Sequence, residues 1–191
     1  TGILLFVLLL VFSGYCIFRD VQRGTASGGY QAGDIVQVEI GTQKKPSTAD
    51  DSYQDDAGRY STEGLALAVC PSIVEIYTYP DDKTPTPLGS GSGIIISKDG
   101  YIVTNTHVLE GGQLLQIHLH DGKVHTAKLV GRDAKTDLAV LKIDAEDLPP
   151  AVLGDSDEVI LGEEVVAIGN PAGLSGSISN GIVSGLNRKI R

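Results

Sequence analysis

The chain has 191 residues, of which 41% are hydrophobic, and it carries a formal net charge of −9. This length and composition are sufficient for one or two domains with a hydrophobic core, and they exclude a chain that is disordered throughout. The acidic balance and the absence of a Lys/Arg cluster argue against nucleic-acid binding, which requires neutralisation of phosphates.

The first element is an uninterrupted apolar stretch. Residues 2–18 contain no charged side chain and are followed by Arg19 and Asp20. As a helix they would be roughly 26 Å long against a hydrocarbon core of about 30 Å, which is slightly short for crossing but long for a signal peptide. No small-x-small cleavage site follows, so we expect an uncleaved membrane anchor, with a cleaved signal peptide as the alternative. The chain begins at Thr1 and not at Met, so we expect further residues before it.

A flexible linker is predicted over residues 19–60, which are rich in Gly, Ser, Thr, Asp and Gln. The folded domain is predicted from residue 61 to residue 191. At its start, Ser61 or Thr62 can cap a short helix that continues to Val69, and Pro71 ends that helix.

The remainder of the sequence consists of short β-branched runs separated by turn residues. This spacing is typical of a barrel or sandwich, and no long helical pattern supports a parallel sheet with crossover helices. Pro149-Pro150 separates about six strands from a second half that stops early. We therefore predict an all-β fold of two small barrels, the second incomplete. The predicted strands are 72–79, 92–97, 101–105, 114–120, 123–131, 137–143, 163–169 and 177–186.

Two polar residues at strand ends are candidates for catalysis. His107 follows the strand at 101–105, where a loop can present an imidazole to a cleft. Asp137 shares strand parity with Ala139 and is predicted to point its carboxylate toward the apolar face, where a histidine N–H is a suitable partner. Asp133, in contrast, is predicted to be solvated.

A histidine followed by a buried aspartate supplies two of the three groups of a nucleophilic Ser–His–Asp triad. The serine of such a triad needs a glycine-rich tight turn whose N–H groups form an oxyanion hole. Ser175 and Ser177 in GLSGSIS are the nearest imitation of such a turn, but they follow Asp137 closely and precede a strand. Neither serine is favoured as the nucleophile.

Four segments together resemble the HtrA (Deg) family of trypsin-like serine proteases, in the family's order: GSGSGIIISKDGYIVTNTHVLEGG, GRDAKTDLAVLKID, LGDSDEVILGEEVVAIGNPAGL and SNGIVSGLNR. The resemblance implies a chymotrypsin-like double β-barrel in which His107 is the general base and Asp137 orients it. It also implies cleavage of misfolded or unfolded polypeptides in extracytoplasmic protein quality control. A membrane-anchored homotrimer that needs no cofactor is the corresponding expectation.

The family's nucleophile motif, GNSGG, follows the segment that matches SNGIVSGL, and a C-terminal PDZ region is usual. We expect both beyond Arg191, and we expect residues 1–191 alone to be inactive because a base without a nucleophile cannot form an acyl-enzyme. The alternative hypothesis is an anchored, catalytically inactive protein-binding module on the same barrel.

A third hypothesis concerns the segment HLHDGKVH. If Asp121-Gly122 is a two-residue hairpin turn, His118 lies opposite His125, and His120 falls on the same face. Three imidazoles on one face could bind zinc. Solvent-facing histidines are the favoured interpretation, since no residue nearby is suited to hydrogen-bond the ring nitrogens that would not bind the metal.

Overall fold

The computed structural model describes residues 50–56, 58–169 and 177–186. Within them, helix α1 (Thr62–Val69) precedes all eight predicted strands. The strands are β1 (Ile73–Tyr79), β2 (Gly89–Ile95), β3 (Tyr101–Asn105), β4 (Leu114–His118), β5 (Val124–Asp133), β6 (Leu138–Ile143), β7 (Glu164–Gly169) and β8 (Ser177–Ile182). Short 3-10 helices lie at Asp51–Tyr53, Cys70–Ser72, Thr106–Leu109 and Ser156–Glu158.

The predicted membrane anchor, residues 2–18, lies outside the described residues, as does most of the predicted linker. None of the helices in the described ranges has the length and apolar character needed to span a membrane. The last part of the predicted linker contains the first 3-10 helix and an isolated bridge between Gln54 and Tyr60. A Cβ added at Gly64 would lie only 2.5 Å from Cβ of Tyr53, so this segment packs directly on α1.

Helix α1 begins as the sequence predicts. Ser61 is the N-cap, and its Oγ accepts a hydrogen bond of 3.1 Å from the N–H of Gly64. Pro71 lies in the 3-10 helix that follows α1, because proline cannot continue an α-helix but fits the first turn of a new one. This short connection leads directly into β1.

Strands β1 to β6 form a closed antiparallel barrel with the order β1-β2-β3-β6-β5-β4. Inward side chains alternate with outward ones, and the fully buried Ile76, Ile102, Ile117 and Leu141 form the centre of the core. Gly93 is required for close packing, since an added Cβ would come within 3.0 Å of Ile102 and two neighbours on β1. The prediction of an all-β, chymotrypsin-like barrel is confirmed.

Strands β7 and β8 form a separate two-stranded antiparallel sheet. Its register pairs Glu164 with Ile182 and Gly169 with Ser177. Ile178 and Ile182 are exposed in the described part of the molecule. The predicted second barrel, incomplete within these residues, therefore stays a prediction.

Both Asp-Gly pairs, Asp99-Gly100 and Asp121-Gly122, lie in loops of more than two residues. Gly100 and Gly122 have positive φ angles of 99° and 83°, whereas Asp99 and Asp121 do not adopt the left-handed conformation that a two-residue Asp-Gly hairpin turn requires at both positions. In the second hairpin, the N–H of Leu119 donates to the carbonyl of Lys123 at 2.9 Å, so the loop has three residues. This is the common turn with glycine at its left-handed position.

The extra loop residue shifts the register of β4 and β5 by one. His125 pairs with Ile117 and shares its face, whereas His118 pairs with Val124 on the outer face. The predicted arrangement of three histidines on one face is therefore wrong, because a one-residue shift moves a side chain to the other side of a sheet. The zinc hypothesis loses the geometry on which it depended.

Candidate active site

His107 lies on the 3-10 helix Thr106–Leu109, which begins where β3 ends. The backbone N–H of Thr106 donates to the carbonyl of Asp137 at 3.0 Å, and the Thr106 hydroxyl donates to the carbonyl of Leu138 at 2.8 Å. From the other side, the buried hydroxyl of Thr78 on β1 donates to the carbonyl of Val108 at 2.8 Å. Hydrogen bonds from two parts of the barrel thus fix the turn that carries the imidazole.

Asp137 lies in the turn immediately before β6 and has a φ of 58°. Aspartate tolerates this left-handed conformation better than most residues. The same conformation breaks the alternation on which the predicted orientation of Asp137 rested. Asp137 therefore does not point into the apolar face of β6, and its side chain is 44% exposed. The prediction that the aspartate is buried was wrong.

Asp133, at the end of β5, organises this turn. Its carboxylate accepts hydrogen bonds from the hydroxyl of Thr136 at 2.6 Å and from the backbone N–H of Lys135 at 2.9 Å. These two donors, with the hydroxyl the stronger, lower the pKa of the Asp133 carboxyl. Asp133 is only 9% exposed, so the prediction that it is solvated was wrong.

The two turns bring His107 and Asp137 into contact. Nδ1 of His107 lies 2.6 Å from Oδ2 of Asp137, and the backbone N–H of His107 donates to Oδ1 at 2.9 Å. Desolvation opposes ionisation of Asp137, but the backbone N–H and the imidazole of His107 outweigh it, so the pKa of Asp137 lies below its ordinary value. A carboxylate held against Nδ1 favours the tautomer with the proton on Nδ1, which leaves Nε2 as a proton acceptor.

Asn105 is a neighbour of this pair that the sequence did not reveal. Its Nδ2 lies 3.1 Å from the carbonyl oxygen of Asp137 and 3.3 Å from Oδ2 of the same residue. The relevant signal is the pairing of Asn105 with Leu138 in the β3–β6 register, which places it beside the turn. That pairing joins strands far apart in sequence, so local patterns do not contain it.

Of the two candidate serines, only Ser177 lies in the described residues, and it does not occupy a nucleophile turn. Ser177 is the first residue of β8 and pairs with Gly169 across the sheet. Ser175 lies outside the described residues. The barrel therefore presents an imidazole held by a carboxylate. Such an imidazole can take a proton from a hydroxyl brought to Nε2.

The family model described as "Trypsin-like peptidase domain" matches residues 91–191. The chain belongs to this family. The proteins that it resembles include DegP-like endoproteases and HtrA-type proteases. It is 48% identical over 119 residues to the "Probable periplasmic serine endoprotease DegP-like" of Halomonas elongata, over 57% of this chain and 25% of the relative. A protein of the same name from Hahella chejuensis is 52% identical over 101 residues, with 53% and 22% covered.

Solved structures agree with this membership in the trypsin-like peptidases. The crystal structure of the serine endoprotease from Yersinia pestis matches with a TM-score of 0.61 and 35% identity, over 68% of this chain and 46% of that one. The structure "HtrA-type protease AlgW with tripeptide" matches with a TM-score of 0.59 and 40% identity, over 65% and 40%. The chain thus spans about a quarter of the length of the curated relative from Halomonas and less than half of the solved chains.

Proposed function

We propose that the full-length protein is a serine endopeptidase in which His107 is the general base and Asp137 orients it. The contact of 2.6 Å between Nδ1 of His107 and Oδ2 of Asp137 is the observation that carries this proposal. In Ser–His–Asp enzymes this contact holds the imidazole in its reactive tautomer and stabilises the imidazolium that forms. The imidazole is 64% exposed, so a substrate and a nucleophile can approach it.

The chemistry follows from these two groups and a serine. Nε2 of His107 removes the proton from the serine hydroxyl as the oxygen attacks a peptide carbonyl, and His107 then gives this proton to the leaving amine. Water, activated by the same imidazole, hydrolyses the acyl-enzyme. We place the serine C-terminal to Arg191, in a glycine-rich turn that supplies the oxyanion hole. The remaining strands of a second barrel would follow there as well.

Misfolded or unfolded polypeptides are the proposed substrates, and the proposed setting is extracytoplasmic protein quality control. Support comes from HtrA-type relatives, among them a DegP-like protein whose name includes the word periplasmic. The uncharged stretch at residues 2–18 supports a single-pass membrane anchor. A homotrimer is the assembly that the family resemblance suggests.

A serine-directed fluorophosphonate probe tests the catalytic proposal, because the serine oxygen displaces fluoride from phosphorus only when a base activates it. The full-length protein should be labelled at a serine beyond Arg191 and should cleave an unfolded polypeptide such as β-casein. His107→Ala should abolish both results. His120→Ala is the matched control, since His120 is an exposed histidine in the β4–β5 loop and should leave both unchanged.

If His107→Ala is still labelled and still cleaves β-casein, the proposed role of His107 is overturned. A full-length chain that binds β-casein without labelling or cleavage would favour the inactive binding module. The sequence after Arg191 distinguishes the protease from the binding module independently of these experiments. A Gly-x-Ser-Gly-Gly turn there supports the protease, whereas a residue that is not a nucleophile in place of the serine supports the binding module.

Anchoring and assembly need separate experiments. Deleting residues 2–18 should move the protein from the membrane fraction to the soluble fraction, and reporter fusions on either side of this stretch should place the barrel outside the cytoplasm. Sedimentation equilibrium of the soluble form should give three times the mass of one chain. A monomer would contradict the proposed trimer without affecting the proposed chemistry.

A further inference from the structure

The amide of Asn105 connects β3 to the turn that carries Asp137. Its Nδ2 has two hydrogens, and two acceptors of the same residue lie within reach: the carbonyl oxygen of Asp137 at 3.1 Å and its Oδ2 at 3.3 Å. Because both neighbours are acceptors, the nitrogen of the amide and not its oxygen must face them. Asn105 is itself only partly exposed, so its amide is sheltered from competing water.

Asp137 needs external support in two respects. Its backbone is left-handed, with a φ of 58°, a conformation that an L-residue adopts at a cost. Its side chain is nearly half exposed, so burial alone does not fix the side-chain torsion. Asn105 contacts both the peptide group and the carboxylate, and it therefore acts on both of these weaknesses.

The carboxylate is held at each oxygen by a different donor set. Oδ1 accepts the backbone N–H of His107, while Oδ2 lies between Nδ1 of His107 and Nδ2 of Asn105. The side-chain torsion of Asp137 is set by these donors together. Removal of the amide leaves Oδ2 held only from the imidazole side among these contacts.

We propose that Asn105 is a positioning residue that holds Asp137 in the orientation in which its carboxylate contacts His107. It acts through Asp137 and does not touch the reacting atoms. The importance of this role for turnover rests on the proposed function, whereas the geometric role does not.

A purely structural role of Asn105 is the competing explanation, since the amide also lies where β3 pairs with β6. Asn105→Asp separates the two explanations because it keeps the shape of the side chain and replaces the donor with a carboxylate beside Oδ2. A positioning role predicts a greater loss of kcat for Asn105→Asp than for Asn105→Ala, because the new carboxylate repels the carboxylate of Asp137. A space-filling role predicts the reverse order.

Turnover by the full-length protein gives the first measurement. Asn105→Ala should lower kcat by about 10- to 100-fold, the range expected for one lost hydrogen bond to a charged group, with little change in KM. In an Asp137→Asn background the same change should cause little further loss, because a residue that acts through Asp137 has nothing left to orient. Thr104→Val, at the residue directly before Asn105, is the matched control. It removes the hydrogen bond of 2.8 Å from the Thr104 hydroxyl to the Ser92 carbonyl and should leave kcat unchanged.

Nuclear magnetic resonance of the proton between Nδ1 of His107 and Oδ2 of Asp137 gives a measurement that does not depend on proteolysis. In protein with ¹⁵N-labelled histidine, this proton should give a low-field signal that is absent from His107→Gln. Asn105→Ala should shift the signal upfield or remove it, and Thr104→Val should leave it in place. The wild-type protein could show the signal, and Asn105→Ala could shift it, while the wild-type protein cleaves nothing. In that case the proposed function fails and the positioning role stands. An unchanged signal in Asn105→Ala would overturn the positioning role.

Discussion

The closed barrel and the two-stranded sheet bury their apolar side chains to very different extents. In the barrel, Ile102 on β3 pairs with Leu141 on β6, and both are 0% exposed. In the sheet, Ile182 on β8 pairs with Glu164 and is 61% exposed. A barrel pairs every strand on both sides, whereas a two-stranded sheet leaves both of its edges unpaired and contributes little stability alone.

The difference shows where the candidate site gets its rigidity. His107 follows β3 and Asp137 precedes β6, and these two strands are neighbours in the closed barrel. The geometry of His107 and Asp137 is therefore determined by the barrel and not by the sheet. The following predictions test this division, from the largest expected effect to the smallest.

Asp137→Asn should lower kcat of the full-length protein by about 10⁴-fold, as the equivalent change does in a Ser–His–Asp triad, because asparagine favours the wrong tautomer of His107. The barrel should remain folded, since asparagine also tolerates the left-handed backbone of residue 137. Initial rates on β-casein and the far-UV circular dichroism of the same samples check both parts. Asp144→Asn, at an exposed aspartate just after β6, is the matched control and should retain full activity.

Leu141→Ala should destabilise the barrel by about 2–5 kcal/mol, through lost burial and the cavity that remains. Leu161→Ala makes the same chemical change next to the two-stranded sheet, where Leu161 is 62% exposed, and it should cost less than about 0.5 kcal/mol. Urea unfolding of both variants measures the two free energies. Equal losses would show that the barrel does not dominate the stability.

Thr136→Val should remove a part of the stability that depends on pH. The Thr136 hydroxyl lowers the pKa of Asp133, so its hydrogen bond stabilises the fold above the unfolded-state pKa of about 3.9. This contribution is lost as the pH falls through the lower folded-state pKa. The variant should be about 1 kcal/mol less stable than wild type at neutral pH, and the difference should shrink below about pH 4.

Urea titrations at several pH values between about 7 and 3 test the prediction for Asp133. Thr126→Val, at an exposed threonine on β5, is the control for loss of a hydroxyl and should show no such pH dependence. A difference between Thr136→Val and wild type that is constant with pH would mean that the hydroxyl does not act through the ionised carboxylate.

The strands were predictable because alternation of apolar and polar residues is a local signal, and all eight are present. The start of β2 was missed, since Gly89, Ser90 and Gly91 have no apolar pattern. These residues are in a strand because β1 lies beside them, with Thr78 opposite Gly89. Pairing between strands thus extends elements beyond what their own residues indicate.

The contact between His107 and Asp137 was predicted from residue types and their order, but the reason given for it was partly wrong. Strand parity placed Asp137 in the core, and the left-handed φ of that residue cancels the parity. Asn105 and Asp133 were not recognised as part of the site, because their roles depend on how turns far apart in sequence meet. The loop length of the β4–β5 hairpin was misjudged by one residue, which was enough to move His125 to the other face.

Ile182→Thr should change the free energy of unfolding by less than about 0.5 kcal/mol in the 191-residue chain, because an exposed strand position gains little from an apolar side chain. Urea unfolding measures it, with Ile102→Thr in the barrel as the comparison that should be strongly destabilising. The same substitution should then be made in the full-length protein. If the proposed second barrel covers this face there, Ile182→Thr should cost about 1–3 kcal/mol, the price of placing a hydroxyl in a buried apolar site. An equally small effect in both proteins would mean that the face of β8 stays uncovered, and it would count against a complete second barrel.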